Sequence, residues 1–451
     1  MAPAVNPPRG MRDFLPADKS RRERVLAVIR NSFGAHGFDE IETPVVEDSD
    51  RLHAGLGGDN EKLAFAVMKR GLTTDDLAAA TQPLDLADLG LRFDLTVPLA
   101  RFYASHRGEL PTVFRSIQIG PVWRAERPQK GRYRQFMQCD IDIIGESGSI
   151  AEVELITATA ATVEALGIIG CSIRVNDRRL LTSALELLGF PAKVHEPVLI
   201  TIDKLDKLGQ DGVIAELRDR GFPAGPVDAL DAFFRRPMTM GFLPFGEAAI
   251  RKLLPEGVDP VAVAELAAIG LAVEEARAQG RAGAQPGDQP HGAGQPDGAG
   301  QHQPIVQFDP WLVRGMGYYT GTIFEIAHPS LASSLGGGGR YDGMIGRFLG
   351  TDVPAVGFSL GFERLVDLVA LPGDATVDAA ALVHDANVPP AALVALQSAL
   401  IAQGKRVRLE RRPKNIEPLL AQLAASGFGQ YAVVNAGSTI GDLEFRPLAR
   451  D

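Results

Sequence analysis

Two hydrophobic periods alternate along this chain, and the places where one gives way to the other outline its organisation. Over residues 21–33 the apolar positions Val25, Ile29 and Phe33 fall at helical spacing, with Leu26 beside them and arginines elsewhere, which predicts an amphipathic helix. Gly34 and Gly37 end it. Residues 41–46, Ile-Glu-Thr-Pro-Val-Val, read as a strand whose proline suits an edge or an interface. Residues 91–99 read as another, with Arg92, Asp94 and Thr96 on one face. Residues 123–145 then form two strands joined by a long loop. From Phe136 onward Gln138, Asp140 and Asp142 point to one face, while Met137, Cys139, Ile141 and Ile143 point to the other. Residues 151–166 return to the helical period, with Val153, Ile156, Val163 and Leu166 as the apolar stripe.

The pattern changes twice more. Residues 180–276 are richer in helix signals and lack the alternating polar strands. Residues 279–304 are almost pure Gly, Ala, Gln, Pro and Asp, a composition that buries too little apolar surface to offset its ordering entropy, so a mobile linker is expected. Strand patterns resume over 311–326, at the glycine run 336–339, and over 355–360, which runs into a helix at Phe362. From about Pro372 strands at 380–384, 406–410 and 430–434 alternate with helices at 390–403 and 415–426, predicting a small open α/β domain with a parallel sheet. The fold class is therefore α+β: an antiparallel-sheet core with helices (1–180 and 305–371), a mostly helical insertion (181–304), and a C-terminal α/β domain (372–451).

Composition narrows the class. At 451 residues the chain exceeds one core, and 23% charged with 45% hydrophobic residues describes an ordinary globular protein. No run of about eighteen apolar residues offers a membrane span, and the N-terminal stretch lacks the apolar centre of a signal peptide. Two cysteines, Cys139 and Cys171, without paired or zinc-like spacing, point to a reducing compartment, so a cytoplasmic location is expected. A net charge of −10 speaks against a protein that coats nucleic acid, but leaves room for docking a folded RNA through local patches. Two such patches exist. Arg124, Arg127, Lys130, Arg132 and Arg134 fall within eleven residues against the single acid Glu126, and Lys405, Arg406, Arg408, Arg411, Arg412 and Lys414 face only Glu410.

Candidate chemistry follows from residue types at given spacings. Arg124 and Glu126 lie two apart on a strand and share a side. The arginine suits bidentate phosphate binding and the carboxylate suits an exocyclic amine. Arg364 opens a helix after a strand rich in small residues, placed to reach the same phosphates. The glycine run 336–339 continues as Arg340-Tyr341-Asp342, so the phosphate-cradling loop with Lys-Ser/Thr is absent. Arg314 precedes a glycine-interrupted segment with Tyr318 and Tyr319. Glycines within a strand pattern mark close approach of a ligand or backbone, and consecutive tyrosines on a strand face opposite ways, so at most one is expected to line a shared pocket.

Several separate blocks together resemble a known family. Arg9-Gly10-Met11-Arg12-Asp13-Phe14-Leu15-Pro16, the basic hairpin, residues 313–325, residues 336–342 and residues 355–365 are similar, in order and spacing, to histidyl-tRNA synthetase, a class II aminoacyl-tRNA synthetase. The segment around Pro44 resembles that class's first motif, the hairpin its second and 355–365 its third. Arg-Gly-Met-Gly-Tyr-Tyr-Thr-Gly and Gly-Gly-Gly-Gly-Arg-Tyr-Asp are what single out the histidine family.

The resemblance implies a class II catalytic core, ATP with Mg2+, L-histidine and tRNA(His) as substrates, and a homodimer. It implies that Arg124 and Arg314 flank the α-phosphate as the catalytic pair, with Glu126 on adenine and Arg132 and Arg364 on the far phosphates. Asp94, Thr96 and Gln138 would hold the α-amino group of histidine, and Asp142 with Tyr318 and Tyr319 would surround the imidazole. Arg127 and Gln129 at the hairpin tip, and Lys405, Arg406, Arg408 and Arg411 in the last domain, would meet tRNA. The family often has glutamate where Asp94 and Asp142 stand. The last domain ends soon after residues 441–448, and its second helix opens Lys414-Asn415-Ile416-Glu417, with fewer cations than an anticodon-reading face would be expected to carry. Two rival readings remain on the sequence alone. One is a catalytically silent regulatory subunit of ATP phosphoribosyltransferase, whose kind commonly loses these arginines and the last module. The other is a histidine-activating enzyme that serves an acceptor other than tRNA.

Overall fold

The two strands flanking the basic loop pair along their whole length in the computed structural model. Phe114–Trp123 and Gln135–Ile144 are antiparallel, from Phe114 opposite Ile144 to Trp123 opposite Gln135. The structure describes residues 5–53, 62–128, 131–236, 241–242, 245–283, 305–314, 318–331, 333–369 and 378–448. The hairpin sits inside a nine-stranded sheet. Across it the strands run Asp39–Glu40, Phe114–Trp123, Gln135–Ile144, Ala355–Gly361, Gly336–Arg340, Thr322–Ala327, Ser172–Asp177, Ile305–Phe308 and Gly241–Phe242. All neighbours are antiparallel except the pair at the Asp39 edge and the pair Ser172–Asp177 with Ile305–Phe308.

Helices cover this sheet. In Pro16–Ala35 the predicted stripe Val25, Leu26, Ile29 and Phe33 is buried. Ile150–Ala165 packs on the strands Gln135–Ile144 and Ala355–Gly361, burying Leu155, Ile156 and Val163, and Pro260–Gly283 packs on that helix in turn. The helical region 178–236 has its own core, in which Phe233 and Phe234 meet the edge of Trp311 at ring-centroid distances of 5.3 and 4.6 Å. Leu312 and Val313 sink into the same cluster, so the chain leading to Arg314 leaves from an anchored backbone.

The chain divides into two compact units. The first comprises the described residues of Met1–Asp13, Val25–Pro290 and Gln295–Ala370; the second comprises Phe14–Arg24 and the described residues of Leu371–Asp451. In the second, Ala379–His384 lies between Arg406–Arg411 and Gln430–Val434, parallel to both. Leu393 and Leu396 of Pro390–Ile401 pack on one face, and Leu423 of Glu417–Ala425 on the other.

Several expectations need correction. Residues 91–99 are not one strand: Ala87–Leu91 ends before Arg92, and a helix starts at Thr96 and runs to His106. Asp94 accepts the Val97 N–H at 3.2 Å, satisfying a donor at the helix start, and Pro98 falls in the first turn, where its missing N–H costs nothing. Of residues 41–46 only Val46 belongs to a strand, Val46–Asp48. The carbonyls of Thr43 and Pro44 accept instead from the buried guanidinium of Arg92, at 2.7 and 3.3 Å. Among the described residues of 311–326, only those of the strand Thr322–Ala327 are extended into the sheet. The C-terminal sheet is mixed, because Arg446–Pro447 adds an antiparallel edge to three parallel strands. The expected linker lies, over residues 284–304, outside the described residues; its first residues complete the helix Pro260–Gly283.

Candidate active site

Above the centre of the large sheet lies a cavity of about 480 Å³ that collects residues from five separate stretches of sequence. Four of its lining residues are arginines: Arg124, Arg132, Arg314 and Arg364. Each is held by neighbouring groups of the protein. Arg124 donates Nε to the Phe93 carbonyl at 2.9 Å and lies over the Phe136 ring, 5.2 Å from its centroid. Arg314 pairs with Glu325 and donates to Ser334 Oγ at 3.1 Å. Arg364 donates to the Ser334 carbonyl at 2.5 Å, so one serine holds two cations that begin fifty residues apart in sequence. Arg132 bridges to Glu126 at 3.3 Å. Burial, together with the cations Arg132 and Arg314 nearby, pulls Arg364 below the usual arginine range. A guanidinium does not deprotonate in a protein, so the crowding is expressed as attraction for a polyanion.

The glycine run explains how Arg314 fits. Gly336–Arg340 is a strand, and a Cβ on Gly337 would stand 2.6 Å from Arg314 Cζ. A larger residue would push the guanidinium aside.

The rest of the lining is largely acidic, polar and aromatic. Asp94, Thr96, Gln138, Tyr318 and Tyr319 belong to it, and so does Asp140, to which no role had been given. Both tyrosines line the cavity, against the expectation for consecutive residues on a strand. They precede the strand Thr322–Ala327 rather than lying in it, and their rings meet at 4.3 Å with a 56° tilt. Burial raises the pKa of both phenols, so they remain protonated donors.

Asp142 is placed differently. It does not line the cavity; its carboxylate sits behind the wall and accepts from the Tyr341 hydroxyl at 2.6 Å. Gly357 makes the room, since a Cβ there would meet Asp142 Oδ1 at 1.9 Å. Burial pushes the Asp142 carboxyl up to about 7, against the Tyr341 hydrogen bond and with help from the nearby Asp94 charge. Sequence reasoning also passed over Ser334, Ser359, Tyr341 and Glu363. Glu363 pairs with Arg12 and accepts the Met137 N–H at 3.2 Å, and Arg12 stacks on Tyr133 with 3.4 Å to the ring centroid. Only the position of Arg12 inside an N-terminal block hinted at that support.

Three comparisons bear on this arrangement. The family model described as histidyl-tRNA synthetase matches residues 10–235 and 295–365, more than half the chain. A histidine–tRNA ligase of Leifsonia xyli subsp. xyli is 57% identical, over 99% of each chain. The chain belongs to the histidyl-tRNA synthetase family. A probable histidine–tRNA ligase of Tropheryma whipplei, 41% identical over 95% of each chain, agrees with that placement. The fold agrees as well. A histidyl-tRNA synthetase of Nostoc sp. PCC 7120 superposes with a TM-score of 0.73 at 22% identity, over 99% of this chain and 95% of that one. A Bacillus halodurans structure, described as an ATP phosphoribosyltransferase regulatory subunit/histidyl-tRNA synthetase, gives 0.71 at 20% identity, over 96% and 99%.

Of the residues expected to touch tRNA, Arg127 belongs to the first unit and does not line the cavity. Arg127 is exposed and Gln129 lies outside the described residues. In the second unit Arg406 and Arg408 share one face of their strand, each 4.7 Å from the Phe428 ring centroid. Arg411, an odd number of residues along, belongs to the other face. Lys405 pairs with Asp378. Among the described residues no group of three His, Cys, Asp or Glu side chains is placed to hold a metal ion, and no helix is long and apolar enough to cross a membrane.

Proposed function

We propose that the chain is an ATP-dependent histidine–tRNA ligase: it activates L-histidine to histidyl-adenylate with release of pyrophosphate, then transfers histidine to the 3′ end of tRNA(His). The observation that carries this reading is the convergence of Arg124, Arg314 and Arg364 on one cavity that is also lined by carboxylates and phenols. A cluster of cations suits a triphosphate, and carboxylates suit an ammonium. The near-full-length identity to histidine–tRNA ligases supports the same conclusion.

In this reading the histidine carboxylate attacks the α-phosphorus while pyrophosphate leaves. Negative charge gathers on the α-phosphoryl oxygens, and Arg124 and Arg314 stabilise it from opposite sides, held in advance by Phe93 and Glu325. Arg364 and Arg132 hold the departing phosphates and Glu126 accepts from adenine. Asp94, Thr96 and Gln138 take the α-ammonium. Tyr319 and Tyr318 meet the imidazole, with Asp142 contributing its charge from behind through its position next to Tyr341. A wrong amino acid would leave several buried polar groups unpaired, which favours selection at binding over later editing. Mg2+ would arrive with the nucleotide as part of the substrate, its ligands coming mainly from phosphate and water. A cytoplasmic location and a homodimer complete the proposal.

The test is exchange of labelled pyrophosphate into ATP by the purified chain. Exchange is expected only with histidine present, and Arg314→Ala lowers its rate by about a hundredfold to a thousandfold while leaving the melting temperature near that of wild type. Exchange without histidine would overturn the specificity. No exchange at all would favour a silent regulatory subunit.

A further inference from the structure

Asp140, Gln138 and Ser359 form a closed polar triangle on the cavity wall, spanning two neighbouring strands. Ser359 of Ala355–Gly361 stands directly opposite Asp140 of Gln135–Ile144 in the sheet register. Gln138 Nε2 donates to Ser359 Oγ at 2.9 Å and to the Asp140 carboxylate, 3.2 Å from Oδ2 and 3.4 Å from Oδ1. The Ser359 hydroxyl donates to Asp140 Oδ1 in turn. Both protons of the Gln138 amide are therefore taken. Its Oε1 is buried and has no hydrogen-bond partner, although Gln138 lines the cavity. A buried acceptor left in this state awaits a donor.

An amide is nearly symmetric in shape, so the environment decides which end faces a ligand. Turning Gln138 over would set its carbonyl oxygen against oxygens of Asp140 and Ser359, at the cost of the hydrogen bonds its amide now donates to both. We propose that Asp140 is a positioning residue: it locks the Gln138 amide with its carbonyl toward the substrate, so that the site accepts a donor at this point and takes an α-ammonium in preference to any group lacking N–H. Asp140 touches no reacting atom in this account. Its contribution passes through Gln138, and it sharpens selection for an amino acid over the corresponding carboxylic acid.

The inference rests on the ligase reading, in which Gln138 faces the histidine amine. It is tested by calorimetric titration of the full-length chain with L-histidine and with 3-(imidazol-4-yl)propionate, which keeps the ring and the carboxylate but lacks the amine. The wild-type chain is expected to prefer histidine. Asp140→Asn keeps the shape but offers Gln138 a donor as well as an acceptor, so both amide orientations become available. The preference is then expected to fall by about tenfold, entirely through weaker histidine binding, with the propionate affinity unchanged. Ser359→Ala removes one of the two restraints and shifts the preference the same way by about threefold; it decides the matter alone if Asp140→Asn does not fold. Equal losses for both compounds, or an unchanged preference in the variants, would overturn the positioning role and leave the ligase reading standing. A wild-type chain without any preference for histidine would overturn both.

Discussion

Two carboxyl groups, Asp94 and Asp140, line the cavity and a third, Asp142, lies behind its wall; their proximity is a standing cost in the empty protein. Burial raises Asp142 to about 7 and raises Asp140 as well, the latter with help from Asp142. For Asp142 the consequence has a definite sign. An unfolded aspartate releases its proton near 3.8, so between there and about 7 the folded protein keeps a proton that the unfolded chain has lost. The stability this provides is present in acid and is lost as pH rises through about 7. Asp142→Asn keeps an acceptor for Tyr341 and removes the titration. Its melting temperature is therefore expected to gain on that of wild type as the buffer is taken from about pH 5 to about pH 8, measured without ligand. A constant difference across that range would show that Asp142 does not titrate there. The same crowding is what an α-ammonium would relieve on binding. The alternation of Gln138, Asp140 and Asp142 was legible in the sequence, but alternation names a face and not a neighbour. Nothing in it shows that Asp142 meets Tyr341, or that Asp140 meets Ser359 from a strand more than two hundred residues away.

At the scale of elements, the glycine-rich strand Gly336–Arg340 is the least ordinary piece of the sheet. A Cβ on Gly338 would lie 1.9 Å from the Gly357 carbonyl oxygen and 2.8 Å from Phe358 Cα, both backbone atoms of the adjoining strand. No rotamer change relieves that, so Gly338→Ala should cost at least about 2 kcal/mol, through displacement of one strand from the other. Gly343, in the helix Asp342–Leu349, has nothing within 4 Å of the position its Cβ would take. Gly343→Ala should stabilise by about 0.4–1 kcal/mol, because it restricts the unfolded chain at no steric cost. Urea unfolding of the two variants checks both signs, and a neutral Gly338→Ala would mean the strands separate freely. Elements with many periods were the readable ones: the hairpin's second strand, the helix Pro16–Ala35 and the alternating elements of the last domain; the hairpin's first strand is Phe114–Trp123 and ends before Arg124 and Glu126, which were expected on a strand. The misread ones are short, with side chains that override the local pattern. Residues 91–99 alternate like a strand, yet Asp94 and Pro98 begin a helix within them. Tyr318 and Tyr319 escape the parity rule because they precede their strand.

At the scale of the whole molecule, the net charge of −10 means that an RNA partner must be met by local cations against an unfavourable background. The first unit places four arginines, Arg124, Arg132, Arg314 and Arg364, in the cavity. The second presents Arg408, stacked on Phe428 and 3.9 Å from Glu410, and Arg411, exposed at the end of the same strand. Neither lies in the cavity, so activation of histidine and docking of tRNA should be separable. Arg408→Ala combined with Arg411→Ala is expected to leave histidine-dependent pyrophosphate exchange unchanged while raising the KM for tRNA in aminoacylation. Each lost phosphate contact lowers the slope of log affinity against log salt by about one, so the double variant should flatten it by about two. A rise in KM without a change in slope would mean that the two arginines support the fold of the strand instead of the nucleic acid. An unchanged KM would move the RNA contact elsewhere, to the hairpin around Arg127 or to the helices of residues 178–236.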